Sequence, residues 1–185
     1  MYAIELNNLH FSKEWKVDFW SRFSILYPDW TKGTGFRTKN IDLTDKEIIS
    51  AGPISQYLKN KIMVVLIHAI DHAPIHADGV GSDVAIQIPF IGCNDQTQTN
   101  FYEYEDGKDL EMVFHPKIGA REILHKEKLK RVQTYSMLDK PVLFRSGWAH
   151  DVTSTYQEKR IIYSWRFKEK YSWEEAKEIC EKYYD

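Results

Sequence analysis

The amino-acid sequence predicts a mainly β protein of the α+β class, an antiparallel sandwich or barrel with helices at its N- and C-terminal ends. Three observations predict it. Short runs rich in β-branched and aromatic residues follow one another at 62–70, 83–91, 100–105, 111–115, 142–145 and 160–167. Turn-forming residues separate such runs at 79–81, 92–96, 106–107, 117–119 and 146–147. No long helical period lies between them. That argues against a parallel, doubly wound sheet, whose strands must be joined by crossovers of roughly a dozen or more residues.

Helix signals sit at the two ends. Ser12 is placed to cap a helix in which Trp15, Phe19 and Phe23 recur at four-residue spacing on one face, and Tyr27-Pro28-Asp29 should stop it. Thr44-Asp45-Lys46-Glu47 reads as a capping box leading into Ile48 and Ile49 and, past an interruption at Gly52-Pro53, to Tyr57 and Leu58. Both helices are expected to cover one face of a sheet. Ser172-Trp173-Glu174-Glu175 opens a closing helix that runs to about Tyr184. The expected layout is one domain over 1–185, with a mostly helical cover at 1–60, a β core at 62–168 and a terminal helix at 172–184. The segments 31–40, with Gly33 and Gly35, and 117–135 are candidate lids, since mobile loops commonly close over ligand sites. Within the second, Lys126, Lys128, Lys130 and Arg131 suit a solvated face better than a phosphate site.

Composition narrows the partners. With 25 basic and 27 acidic residues the formal charge is −2, which offers no general attraction to nucleic acid or to an anionic membrane. The longest apolar run, at 62–67, is too short to span a bilayer, and no basic segment leads into an apolar stretch at the N-terminus. The expectation is a soluble, unprocessed, cytoplasmic protein acting on a small molecule or a polypeptide, its oligomeric state open. Cys93 and Cys180 are expected as free thiols. The aromatic content of 14% suits packed sheets first and the lining of a concave site second.

One constellation carries chemistry. Iron that must bind both oxygen and an organic co-substrate needs a cage with open positions, and two imidazoles plus one carboxylate on one face of an octahedron leave three of them. His76-Ala77-Asp78 supplies a pair of ligands economically, because side chains two apart in extended chain point the same way. Alone, the motif is as easily a surface turn. The second half is Trp148-Ala149-His150-Asp151-Val152 and, beyond a polar turn near Thr155, the β run 160–167 that begins at Arg160. Paired across one sheet, His150 and Arg160 would lie roughly 5 Å apart at Cβ, and on the two sheets of a jelly roll both could still face inward. Arginine suits a buried carboxylate because its planar fork binds both oxygens.

His76-x-Asp78, a distant His150 and Arg160 ten residues beyond it resemble, in order and spacing, the 2-oxoglutarate and iron(II) dependent oxygenase superfamily. The surrounding segments 84–93, 141–144 and 160–167 are similar to strands of a small, phage-encoded or marine bacterial branch, itself similar to aspartyl/asparaginyl β-hydroxylases and prolyl hydroxylase-like proteins. The resemblance covers roughly 62–168. It implies a double-stranded β-helix (jelly roll, cupin-like) in which His76, Asp78 and His150 hold Fe(II) while Arg160 pairs with the C5 carboxylate of 2-oxoglutarate. It further implies a dioxygenase that consumes O2 and releases succinate and CO2, with hydroxylation of an amino-acid side chain or small metabolite as the default outcome and ascorbate as an additive in vitro. That branch usually carries an asparagine where Gln87 stands and another near Ser154, so substrate identity is more in question than metal binding. By strand parity Gln87 and Ser164 face the interior, Gln87 as a partner for the C1 carboxylate and Ser164 as an aid to Arg160.

Two other functions fit the same residues. One is a non-catalytic jelly-roll module that binds a ligand or partner. The other is a cupin-type metalloenzyme that makes no use of 2-oxoglutarate. The remaining histidines compete weakly for a metal. His68, His72 and His76 are four apart, but the β-branched run before them and Pro74 within them argue against the helix that would align them. His115, a conceivable cupin-type ligand, and His125 are expected to be structural or exposed.

Overall fold

The computed structural model describes residues 1–7, 9–68, 72–79, 83–116 and 120–184. Twelve strands numbered in chain order form two antiparallel sheets among these residues. The first sheet runs β1 (Ala3–Glu5), β10 (Val142–Phe144), β5 (Ala85–Ile91), β12 (Arg160–Phe167), β3 (Leu58–His68), β2 (Gly35–Asp42). The second runs β7 (Met112–His115), β8 (Ala120–Ile123), β4 (His72–Asp78), β11 (His150–Ser154), β6 (Thr97–Tyr104), β9 (Leu129–Tyr135). From β3 to β6, and again from β9 to β12, the chain passes from one sheet to the other at every step. Every described pairing is antiparallel. This is the jelly roll, a double-stranded β-helix, that the resemblance implied.

Strand parity explains how the first sheet divides its side chains. Along β12, Ile161, Tyr163, Trp165 and Phe167 join the aromatic core under the N-terminal helix, whereas Arg160 and Ile162 line a cavity between the sheets. β3 splits likewise, with Ile62 and Val64 outward and Met63, Val65 and Ile67 inward. A sheet covered on both faces needs near-continuous apolar strands, and Leu58–His68 and Arg160–Phe167 supply them.

The outer cover is helix α1 (Lys13–Leu26), capped as expected by Ser12, whose hydroxyl accepts the Trp15 N–H at 3.0 Å. Trp15, Phe19 and Phe23 are its buried face. The Trp15 indole N–H donates to the Glu47 carbonyl at 2.9 Å and the Trp165 indole N–H to the Lys59 carbonyl at 2.6 Å, so these large rings bury without orphaned donors. Phe19 is fully buried and packs edge-on to Tyr163 with ring centres 4.8 Å apart. Phe19→Ala is expected to cost about 3–5 kcal/mol of unfolding free energy. Urea denaturation checks this, and a loss below about 1 kcal/mol would mean that α1 is not tightly docked.

α1 ends at Leu26 with Tyr27 as its C-cap, as Tyr27-Pro28-Asp29 predicts, and a separate one-turn helix α2 (Pro28–Thr31) follows, because proline fits the first helical position. Two sequence expectations change. The capping box at Thr44 is present, yet helix α3 spans only Asp45–Ser50 and is followed by a 3-10 turn at Pro53–Tyr57, with Leu58 opening β3. Ile49 is 76% exposed, while Glu47 is buried by its ion pair with Arg22 at 2.7 Å. The segments read as lids are largely strand. Residues from Gly35 onward form β2, hydrogen-bonded to β3 along its length, and 120–135 hold β8 and β9. β2 and β9 are edge strands with charges such as Arg37, Lys39, Lys130 and Arg131 on their exposed faces, which blunts pairing with other chains and made both read as loop. The turns expected at 79–81 and 117–119, and the end of the run 62–70, lie wholly or partly outside the described residues.

Helix α4 (Trp173–Tyr184) closes the chain with the expected capping box: the Ser172 N–H donates to Glu175 at 2.8 Å and the Ser172 hydroxyl accepts the Glu175 N–H at 3.3 Å. Cys180 is a buried thiol and Cys93 a half-buried one, both free. Among the described residues no helix is long and apolar enough to cross a membrane.

Candidate metal centre

His76 and Asp78 come from β4, His150 from the first position of its neighbour β11, and in the sheet register His150 stands directly opposite His76. A shift in that register between His150 and Val152 marks a β-bulge, which seats Ala73 opposite Val152 and His76 opposite His150 with one extra residue on β4 between them. Pro74 occupies the bulge, where no ladder N–H is required of it. The bulge lets Ala73 and His76, three apart, share the inward face.

The three side chains each bring one ligand atom within 4.8 Å of the others, a group that could hold a metal ion. The His76 and His150 ring centres are 4.5 Å apart, and His76 Nε2 lies 3.8 Å from Asp78 Oδ1. Both imidazoles are oriented from behind. His76 Nδ1 lies 2.8 Å from the Pro74 carbonyl and His150 Nδ1 2.7 Å from the Trp148 carbonyl. A carbonyl can only accept, so each Nδ1 carries the proton and each Nε2 offers its lone pair to the centre, as a metal-ligating histidine requires.

Arg166 completes the arrangement. Its guanidinium donates to Asp78 Oδ2 and to the Ser146 hydroxyl. Burial pushes the Asp78 carboxyl up, but Arg166 and the two imidazoles outweigh it and hold the group below the ordinary carboxylate range. Asp78 is therefore ionised and steered by one oxygen, with the other turned toward His76. Arg166 was not singled out as a site residue, although parity along β12 places it on the same face as Arg160 and Ser164. Its partnership with Asp78 depends on contact between the two sheets.

Burial, and then the neighbouring His76, drive the His150 imidazole down from 6.5 to about 4, with Asp78 opposing. In the metal-free protein the unfolded chain therefore takes up this proton first as the pH falls. The stability His150 contributes is complete above about 6.5 and is lost progressively toward 4. A displacement of this size is worth about 3 kcal/mol. Urea unfolding of metal-free protein is expected to show a lower midpoint at pH 4.5 than at pH 7, and a His150→Asn variant a smaller difference. Equal pH dependence in the two proteins would contradict a buried neutral His150.

His76, Asp78, His150, Gln87 and Arg160 line one cavity between the sheets, closed elsewhere mainly by apolar side chains such as Met63, Val65, Phe144 and Ile162. His150 and Arg160 do not pair across one sheet, since β11 and β12 belong to different sheets that face each other. Arg160 is 2% exposed, and burial pushes its guanidinium down from its ordinary range, opposed by the adjacent Cys93. Two buried polar atoms of this cavity lack a partner among the described residues, Arg160 Nε and Gln87 Oε1. The Gln87 amide N–H donates to the Ser164 hydroxyl at 3.2 Å, a contact set by the register of β5 against β12. An orphaned guanidinium nitrogen and an orphaned carbonyl oxygen in a mostly apolar cavity fit a ligand that brings a carboxylate and other polar atoms of its own.

The remaining histidines stand apart from this group. His72 lies on the outer face near Asp151, with Nδ1 3.7 Å from Oδ2, and His68 Nδ1 is 3.4 Å from the Gly33 carbonyl. His115 pairs with Glu122 at 2.9 Å, and His125 sits near Glu111 and Glu127.

No protein-family model and no curated protein sequence matches the chain. Solved structures do. The chain is similar to the non-heme α-ketoglutarate-dependent epimerase SnoN from nogalamycin biosynthesis, with a TM-score of 0.54 and 11% identity over 90% of this chain and 78% of that one. The same epimerase in complex with Fe3+, α-ketoglutarate and nogalamycin RO gives a TM-score of 0.58 and 10% identity over 91% and 79%. A Pseudomonas putida prolyl-4-hydroxylase gives 0.48 and 12% over 91% and 93%. At such identities the likeness is one of fold, and that fold is the jelly roll.

Proposed function

We propose that this protein is an Fe(II)- and 2-oxoglutarate-dependent dioxygenase, with His76, Asp78 and His150 as metal ligands and Arg160 as the co-substrate anchor. The observation that carries the proposal is that one cavity holds both the triad and a buried arginine with an unpartnered nitrogen. Iron with 2-oxoglutarate and O2 would supply the oxidising chemistry, with release of succinate and CO2.

The chain's own residues would do the rest. The two Nδ1–carbonyl hydrogen bonds hold the imidazoles in the ligating tautomer, and Arg166 keeps Asp78 ionised and oriented. Arg160 would meet the distal carboxylate of 2-oxoglutarate, assisted by Ser164, while Gln87 would serve its polar end nearer the metal. The apolar wall of Met63, Val65, Phe144, Val152 and Ile162 would limit water around the bound co-substrate. The proposed substrate is an amino-acid side chain or small metabolite, hydroxylated at an unactivated carbon in the cytoplasm.

The test is direct. Purified protein is incubated with Fe(II), 2-oxoglutarate, O2 and ascorbate, and succinate is measured beside iron binding. Slow succinate formation without added substrate, abolished by chelation, is the expected result. No iron binding and no succinate, even with candidate substrates, would reduce the protein to a non-catalytic binding module.

A further inference from the structure

A second cavity, of about 420 Å3, lies outside the triad and is lined by residues from several parts of the chain, among them Arg121, Arg145, Trp148, Lys170, Tyr171 and Trp173. Its charges are unevenly used. Arg121 is satisfied, donating to Asp83 at 2.9 Å, to the Gly147 carbonyl at 3.1 Å and to the Asp78 carbonyl at 2.8 Å. The two acids of the cavity are occupied: Asp83 by Arg121, and Glu175 by the cap of α4 at Ser172. Arg145 and Lys170 meet no carboxylate within 4.0 Å among the described residues. Arg145 is half-buried and lies over the Trp148 ring at 4.5 Å and the Tyr2 ring at 5.5 Å. Ring faces hold a guanidinium in place but leave its edge N–H donors unused.

Apart from Gly147 and Ser172, the rest of the lining is aromatic and apolar: Val84, Met112, Trp148, Tyr171 and Trp173. A fixed cation edge beside indole and phenol surfaces recognises one kind of small molecule well: a planar ring for the walls and a negative group for the guanidinium. The cavity also adjoins the triad. Arg121 and Gly147 form its inner wall, and the same segment clamps Asp78, whose N–H donates to the Ser146 carbonyl at 2.9 Å. Gly147 is required for that wall, because an added Cβ would meet the Asp83 side chain at 2.4 Å.

We propose that this cavity is a binding site for an aromatic anion, a planar ring carrying a carboxylate or phosphate, held by Arg145 and Lys170 between Trp148 and Trp173. The site stands on its own lining and not on the reading of the triad. Where that reading also holds, the aromatic anion is the substrate class to try first, because Arg121 lines this cavity and also donates to the Asp78 carbonyl.

The experiment measures binding to the iron-free full-length protein by calorimetry and tryptophan fluorescence. Indole-3-acetate and adenosine monophosphate serve as the carboxylate and phosphate probes, with indole, acetate and inorganic phosphate as controls. Saturable binding of at least one probe, with the controls weaker, is expected, and the tighter probe identifies the preferred anion. Arg145→Gln should weaken it roughly tenfold or more, the loss of a charge-assisted hydrogen bond. Trp173→Ala, a change on a partly exposed side chain, should weaken it as well, and circular dichroism checks that both variants are folded. His150→Ala should bind the probe like the unaltered protein, which separates this site from the metal centre. Absence of saturable binding, equal binding of neutral indole, or affinity unchanged in both Arg145→Gln and Trp173→Ala would each overturn the proposal.

Discussion

His150→Ala is expected to abolish iron binding and succinate formation together. His150 is 5% exposed, held by the Trp148 carbonyl and packed edge-on against Phe144 with ring centres 5.3 Å apart, and among the described residues only His76 and Asp78 group with it as potential ligands. Loss of residues that merely support ligands costs about 10–100-fold in metal affinity or activity, so loss of a ligand should exceed roughly 100-fold. His72→Ala is the matched control. His72 is four residues from His76 in sequence but half-exposed on the opposite face of the sheet near Asp151, and its removal should leave iron affinity unchanged. Iron affinity measured by anaerobic equilibrium dialysis decides the matter. Equal losses in both variants would mean general destabilisation, and no loss in His150→Ala would remove the triad as the metal centre.

Arg160→Ala is expected to separate the co-substrate from the metal. A carboxylate met by a buried guanidinium contributes several kcal/mol, and removal of one partner of such a pair costs about 2–5 kcal/mol, or roughly 30-fold to several thousand-fold in 2-oxoglutarate affinity. Iron affinity should hardly change, because Arg160 touches none of the three ligands in the described contacts. The ligand-free protein should be no less stable than before. Its Arg160 is a buried cation with no carboxylate partner among the described residues, and removing such a charge offsets the packing lost with its stem. Thermal midpoints with and without saturating 2-oxoglutarate therefore check two things, an upward shift in the unaltered protein and none in the variant. Undiminished 2-oxoglutarate affinity in Arg160→Ala would point instead to a cupin-type metalloenzyme that makes no use of this co-substrate.

The legible and the illegible residues differ in a physical way. Ser12, Thr44 and Ser172 act within three residues of themselves, so their caps could be read locally and occur where expected. The alternation in β12 could be read because its outward face, Ile161 to Phe167, is packed as strictly as its inward face. β2 and β9 could not, because edge strands carry charge in place of an apolar stripe and take their structure from hydrogen bonds to β3 and β6, far off in sequence. Leu58 shows the same limit from the other side: its apolar character suited a helix end or a strand start equally, and pairing with Phe167 decided for the strand.

By itself the sequence determined the chemical inventory: a His-x-Asp pair, a distal histidine, an arginine ten residues on, and a mainly β chain with capped helices at its ends. It also determined that Arg160 and Ser164 share a face, since parity is a property of the strand alone, whereas the place of Gln87 beside Ser164 came from the register of β5 against β12. Only the tertiary structure decided that His150 and Arg160 stand on opposite sheets and still line one cavity. It also placed Arg166 against Asp78 and left Arg145 without an acid among the described residues. The reason is that period and spacing act along one strand, whereas the cavity, the ion pair and the unpaired guanidinium arise where two sheets close on each other.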